Sequence, residues 1–218
     1  KVPYGSERAN IYVENLLQEI RLVCINHPKR EVTSLYFGGG TPALLYQRLE
    51  EIIQELRRYF VITEGIGVEL HPSDVTIPVL QELRRAGVMK LSIGIQSFQK
   101  KYQTLLGRSS VDYSAISAGL TKVPFETVSF DFIFALPGQT ISDLICDVDL
   151  AFQLGANHVA LYPFIDFSFT KSDVQAMKNP DKRKLLNGIT AYLEKNGCTR
   201  TSIWTFSNEK GACYSSMT

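Results

Sequence analysis

The chain has 218 residues, 44% of them hydrophobic and 21% charged, with a net charge of +1. That length suits one sizeable domain spanning 1–218, and the near-neutral balance leaves no electrostatic footprint for nucleic acid or an anionic membrane. No run of 18 or more apolar residues is present, so no membrane span is expected.

The predicted elements alternate helix and strand. "NIYVENLLQEIRLV" places Ile11, Val13, Leu16, Leu17, Ile20 and Val23 on roughly one helical stripe. "TSLYF" is a short β-rich run, and "LLYQRLEEIIQELRRYF" is a strongly amphipathic helix. "GIGVEL" reads as a strand, and "TIPVLQELRRAG" as a helix ending at Gly87. "KLSIGIQ" is a strand, followed by a helix around Tyr113 to Thr121. "TVSFDFIFALP" is a strand, and "ISDLICDVDLAFQLG" a helix that stops at Gly155. "HVALYPF" is a strand, "DKRKLLNGITAYLEKNG" a helix closed by Gly197, and "TRTSIWTF" a last strand. Strands starting near residues 34, 66, 90, 127, 158 and 199 with helices between them predict βαβ units and a parallel sheet.

Side chains alternate faces along a strand. Leu91, Ile93 and Ile95 therefore oppose Ser92, Gly94 and Gln96. Val128, Phe130, Phe132 and Phe134 oppose Ser129, Asp131 and Ile133, and Val68 and Leu70 oppose Glu69. A doubly wound sheet, covered by helices on both faces, would show more continuous apolar runs. An ordinary eight-stranded barrel would fill its interior with bulky branched side chains. One greasy face and one small or polar face favour an α/β fold of another kind, an open, incomplete barrel whose interior has room for a ligand. A single polar residue in a strand is commonly satisfied by backbone, but Glu69, Gln96 and Asp131 together point to a ligand site.

"SLYFGGGTPALL" puts Gly38, Gly39 and Gly40 at the C-terminal end of the first of these strands, where β/α barrels carry their active sites. The run is not a Walker A loop, since no Gly-Lys-Ser/Thr follows, and it lacks G-x-G-x-x-G spacing. A bare strand-to-helix turn with Pro42 early in the helix would also use it. The four cysteines, Cys24, Cys146, Cys198 and Cys213, form no CxxC pair and read as reduced structural thiols in a cytoplasmic protein. His27, His71 and His158 are equally dispersed and read as structural.

"YFGGGTPALL", "VELHPSDV", "LSIGIQSFQ", "LLGR", "DFIFALPGQT" and "LYPF" occur in this order. As an ordered set they resemble the radical S-adenosylmethionine enzymes of the oxygen-independent coproporphyrinogen III oxidase superfamily, over roughly Tyr12 to Thr218. The resemblance implies a partial (β/α)6 TIM-like barrel, here truncated at both ends, holding S-adenosylmethionine and a 4Fe–4S cluster. It implies that backbone at Gly38, Gly39, Gly40 and Thr41 meets the amino group of S-adenosylmethionine. Glu69, Gln96, Arg108 and Asp131 match polar positions that contact this cofactor. Arg108 would face a carboxylate, as its fixed fork favours, and reads equally as a solvated surface charge. Gln96 and Asp131 would hold ribose hydroxyls, and Tyr162 and Phe164 would border the adenine. The CxxxCxxC motif that supplies three thiolates to the cluster is not matched by any cysteine here. By the family order it would lie before Lys1; a cluster-less relative is the alternative. No metal ligand is therefore assigned, and no catalytic side chain is named.

The segment "TRTSIWTFSNEKGACYSSMT" looks most like the anaerobic heme-utilisation branch, whose members include anaerobilin synthase. That implies a heme or related tetrapyrrole substrate, ring opening to a linear tetrapyrrole with iron release, and an electron donor such as flavodoxin or ferredoxin. The alternatives are a coproporphyrinogen III oxidase-like decarboxylase, a non-catalytic heme chaperone, and a scaffold that binds S-adenosylmethionine without a cluster. Trp204 and Tyr214 read equally as ordinary packing at the barrel edge.

Overall fold

The computed structural model describes residues 5–109, 111–166 and 175–208. Cys213 and Tyr214, and with them the second half of the segment that suggests a branch, lie outside the described residues. The elements run α1 (Ser6–Cys24), β1 (Arg30–Val32), β2 (Leu35–Phe37), α2 (Tyr46–Tyr59), β3 (Phe60–Ile62), β4 (Ile66–Leu70), α3 (Ile77–Arg85) and β5 (Lys90–Gln96). They continue α4 (Lys100–Leu105), α5 (Tyr113–Lys122), β6 (Thr127–Phe134), α6 (Ile141–Gln153), β7 (His158–Pro163), α7 (Asn179–Lys195), β8 (Thr199–Arg200) and β9 (Thr205–Ser207).

Local chemistry explains the boundaries. Pro42 opens a single 3-10 turn, Pro42–Leu45, ahead of α2, as its missing N–H and fixed φ allow. α6 starts on a capping box: Thr140 accepts from the Asp143 N–H at 3.2 Å, and Asp143 accepts from the Thr140 N–H at 2.8 Å. α3, α6 and α7 stop at Arg85, Gln153 and Lys195, each two residues short of the glycine expected to end it.

Seven strands form one sheet in the order β2-β4-β5-β6-β7-β9-β8. β2, β4, β5, β6 and β7 are parallel and follow one another without reversal. Because βαβ crossovers are right-handed, an unreversed order keeps every crossover helix on the same face. The core agrees. Val68, Leu91, Ile93, Phe130, Phe132 and Phe134 pack in one cluster with Leu49, Leu80, Ile116, Leu144 and Ile189 of the helices. The opposite face is left to polar side chains. This is the α/β partial barrel expected from the alternation, with its open face inward.

The last strand departs from expectation. The stretch read as one parallel strand is a hairpin, β8 and β9, and β9 runs antiparallel to β7. No crossover helix separates β8 from β9, and a four-residue turn can only return the chain antiparallel. β1 and β3 also form a separate parallel pair that the sequence reading does not include. α1 is fastened to α2 through Glu55, which is buried and accepts from Arg21 at 3.1 Å and from Arg58 at 3.2 Å. Arg21 holds the Glu55 carboxyl below its usual range. Among the described residues no helix is long and apolar enough to cross a membrane.

Candidate functional site

The three glycines divide two tasks. Gly39 and Gly40 have φ of 78° and 69°, the left-handed region that glycine enters without steric cost. Gly38 does not, and its need is room. A Cβ there would sit 2.5 Å from Tyr36 Cε1 and 3.1 Å from Glu69 Oε1. The space is taken by a carboxylate clamp. Tyr36 donates its hydroxyl to Glu69 Oε1 at 2.6 Å, and the Gly39 N–H donates to Glu69 Oε2 at 2.9 Å. Thr41 precedes the 3-10 turn with φ −145° and makes no side-chain cap. Gly38, Gly39 and Thr41 also edge a cavity of about 300 Å³ beside Tyr12 and Leu16 of α1.

From Glu69 the polar groups run straight across the sheet. The register sets Glu69 opposite Ser92, Ser92 opposite Ser129, and Ser129 opposite His158. Asp131, two residues past Ser129 on the same face, gathers this row. Ser92 donates to its Oδ2 and Ser129 to its Oδ1, the latter at 3.1 Å. Burial pushes the Asp131 carboxyl up to about 7, with the Glu69 charge adding to the rise and the two serines opposing it. Tyr162 stands near both acids: burial, then Asp131 and Glu69, push its phenol up to about 12. It therefore stays protonated at neutral pH. Among the described residues no Lys, Arg or His forms an ion pair with Glu69 or Asp131. Two acids share a half-buried face with no basic counterpart.

Gln96 ends β5 just past a register shift and has φ 70°, an unusual value for a side-chain-bearing residue. Its amide folds back over Gly94, where an added Cβ would meet Nε2 at 2.9 Å. The bend after it is anchored from α6. Asp147 accepts from the Ser97 hydroxyl at 2.7 Å and the Phe98 N–H at 3.0 Å, and burial raises its carboxyl to about 6. Phe164 follows β7; its N–H donates to the Phe134 carbonyl at 2.7 Å, and its carbonyl accepts from Lys182 Nζ at 2.6 Å.

The structure thus gathers Gly38, Gly39, Glu69, Asp131 and Tyr162, and sets Gly40, Thr41, Gln96 and Phe164 on the turns and strand ends around them. Arg108 is not joined to them. It is exposed beyond α4, and its guanidinium makes no hydrogen bond or ion pair with another described residue. Sequence reasoning overlooked Tyr36, although it lies two residues before Gly38 and so on the same strand face. It also set His158 aside as structural. Nothing in the sequence places that histidine beside Ser129; the pairing of β6 with β7 does.

The geometry offers acids and hydroxyl acceptors for a cationic, hydroxyl-bearing ligand. Comparison with known proteins decides which family presents it. The family model described as Radical SAM superfamily matches residues 4–151. The chain belongs to the radical SAM superfamily. Heme chaperone HemW of Lactococcus lactis subsp. lactis is 31% identical over 171 residues, covering 76% of this chain and 44% of that protein. Oxygen-independent coproporphyrinogen III oxidase of Escherichia coli is 27% identical over 202 residues, covering 87% of this chain and 44% of that protein. The solved structure of the Escherichia coli coproporphyrinogen III oxidase HemN superposes with a TM-score of 0.80 at 24% identity, over 95% of this chain and 50% of that one. The chain spans about half the length of the curated relatives it matches. These relatives back the chaperone and decarboxylase alternatives better than the heme-opening reading drawn from the C-terminal segment.

Superfamily membership implies S-adenosylmethionine and a 4Fe–4S cluster. The unpaired acids fit the first, a molecule with two cationic centres and a ribose diol. The described residues do not fit the second. Cys24 and Cys198 are buried and Cys146 is exposed, and no three described His, Cys, Asp or Glu side chains come together as a metal site. No step is derived through the cluster.

Proposed function

We propose that this chain is the S-adenosylmethionine-holding part of a radical SAM protein that handles heme or a related tetrapyrrole, as the heme chaperones among its relatives do by name. The observation that carries the cofactor reading is the pair of acids, Glu69 and Asp131, sharing one sheet face with no basic partner among the described residues. An unpaired buried carboxylate is costly, and a cationic ligand relieves that cost.

Each residue has a bounded task. Glu69, held by Tyr36 and Gly39, keeps its remaining lone pairs for a ligand ammonium or sulfonium. The backbone at Gly38, Gly39, Gly40 and Thr41 lines the approach to that group. Asp131 and Gln96 accept from ribose hydroxyls, which favour the ionised form of Asp131. Tyr162 offers a protonated phenol, and Phe164 an apolar edge, to the adenine. Arg108 has its fork available for the methionine carboxylate. When bound, the cofactor supplies a carbon-centred radical; the protein's part is to orient it and exclude water.

Decarboxylation of coproporphyrinogen III is the second reading, supported by the 27% identity over 202 residues to the Escherichia coli oxidase. The full-length protein, incubated anaerobically with S-adenosylmethionine, a reductant and either heme or coproporphyrinogen III, separates them. A bound-heme spectrum that persists, without carbon dioxide release, supports heme handling without turnover. Carbon dioxide release from coproporphyrinogen III supports the oxidase reading. Bleaching of the heme band with methionine release overturns both in favour of ring opening.

A further inference from the structure

We infer that Asp147 of α6 is a positioning residue that acts through the turn at Ser97 and Phe98 to keep the Gln96 amide aimed into the open face. The positioning stands on geometry. Only its consequence for binding rests on the proposal that Gln96 meets the cofactor ribose.

By register alone Gln96 would point the wrong way. β5 and β6 pair in step from Lys90 to Ile93, where Ile93 stands opposite Phe130. The next pair is Gln96 opposite Phe132, so three residues of β5 span two of β6. Phe132 is fully buried among the helix-covered core residues, and a one-residue slip sends a side chain to the other face of a sheet. Gln96 is turned back by its φ of 70°. Its Nε2 lies 2.9 Å from where a Cβ on Gly94 would sit, and Gly94 shares the open face with Ser92. A left-handed residue that carries a Cβ is strained, and it persists only where its surroundings over-determine it.

Those surroundings come from the helix-covered side of the sheet. Asp147 is buried on α6, whose Leu144, Val148 and Ala151 pack into the core. Its Oδ1 accepts from the Phe98 N–H at 3.0 Å, and its Oδ2 from the Ser97 hydroxyl at 2.7 Å. Ser97 Oγ in turn accepts from the Gln99 N–H at 3.1 Å. Both backbone N–H groups can only donate, so the direction of these bonds is fixed. Gln103 Nε2 donates to the Ser97 carbonyl at 3.0 Å, and Gln99 Nε2 to the Asp143 carbonyl of α6 at 2.9 Å. Burial raises the Asp147 carboxyl to about 6, so it is ionised at neutral pH and both oxygens accept. The two residues that follow Gln96 are thus tied to an outer helix. With them held, the bulge cannot relax to extended backbone, and the Gln96 amide stays over Gly94.

The test uses full-length protein with ¹³C- and ¹⁵N-labelled glutamine. In the wild type, the Gln96 Cα and Cβ shifts report left-handed backbone. In Asp147→Ala they move to extended values, and the Gln96 side-chain amide signals move with them. Ser97→Ala, a milder change that removes one donor and leaves the carboxylate in place, moves them in the same direction. Asp147→Asn, which keeps an oxygen for the Phe98 N–H, lies nearer the wild type. Wild-type shifts that are not left-handed, a measurement that needs no variant, overturn the inference. So do wild-type shifts in folded Asp147→Ala or Ser97→Ala protein. Binding is read as the ratio of affinities for S-adenosylmethionine and its 2′,3′-dideoxy analogue, which a general loss of stability leaves alone. Asp147→Ala lowers that ratio about 2- to 10-fold, the size of one neutral hydrogen bond, and adds nothing in a Gln96→Ala background. A loss that keeps its full size in that background overturns the inference, because Asp147 would then act other than through Gln96. If the Gln96 shifts move while the ratio holds, the positioning stands and the ribose reading fails.

Discussion

Replacing Gly38 with alanine is the sharpest local perturbation of the glycine turn. The new Cβ would lie 2.5 Å from Tyr36 Cε1, a separation no relaxed structure retains, and 3.1 Å from Glu69 Oε1. Tyr36 sits on the strand just before the turn, so its ring must swing away or the turn must lift. Either movement breaks the 2.6 Å hydroxyl bond to Glu69 or the 2.9 Å bond from the Gly39 N–H. A hydrogen bond to a charged group contributes about 1.5–3 kcal/mol, and forcing a methyl into an occupied space costs about 1–3 kcal/mol. If the clamp orients Glu69 for the cofactor, losing one bond lowers S-adenosylmethionine affinity about 10- to 100-fold. Equilibrium dialysis with labelled cofactor reads the affinity, and urea unfolding of the same sample reads the stability. Gly39→Ala is the control. Nothing lies within 4 Å of its added Cβ, but its φ of 78° puts the cost at about 1–2 kcal/mol of backbone strain. In a Tyr36→Ala background the Gly38→Ala penalty should shrink, because the colliding ring is gone. A Gly38→Ala protein with wild-type affinity and stability would refute the clamp.

Other expectations follow from burial and charge. Phe130 is fully buried, with Phe98 edge-on at 6.2 Å between ring centres; Phe130→Ala should cost about 3–5 kcal/mol in urea unfolding. Arg108→Gln should leave stability within about 0.5 kcal/mol of wild type and weaken cofactor binding about 10-fold or more; unchanged binding returns Arg108 to a solvated surface charge. Asp131 holds its proton in the fold up to about 7, against an ordinary 3.8. The folded state therefore binds the extra proton between these values, and wild-type stability falls as pH rises through that window. Relative to Asp131→Asn, the wild type should lose stability from pH 4 to 7 and hold level above. His158 runs the other way. Its pKa drops from 6.5 to about 4 on folding, so stability is lost as pH falls from 6.5 toward 4. Measuring the Asp131→Asn difference at each pH isolates the first effect from the second.

The sequence made the barrel legible because strand alternation is a local signal. Val68, Leu91 and Phe130 could be assigned to the helix-covered face, and Glu69, Ser92 and Asp131 to the open one, from period two alone. Gly38–Gly40 marked a strand end for the same reason. What was not legible depends on register. That Glu69, Ser92, Ser129 and His158 share one row follows from how β4 to β7 pair, and one residue of slip would send His158 to the core face. The direction of the final strand was equally hidden, since "TRTSIWTF" carries β-rich residues at both ends and the turn between Arg200 and Thr205 has no glycine to announce it. Arg108 is legible only as a motif: the sequence suggests a ligand for it, and in the fold it is exposed.

The central claim is that the unpaired acids of the open face hold a cationic cofactor. The most direct test is the affinity of the full-length protein for S-adenosylmethionine after the paired replacement Glu69→Gln and Asp131→Asn, which keeps shape and removes both charges. With circular dichroism unchanged, the account predicts a loss of about 100-fold or more, from two charge-assisted contacts of about 1.5–3 kcal/mol each. Wild-type affinity in that double variant would contradict it.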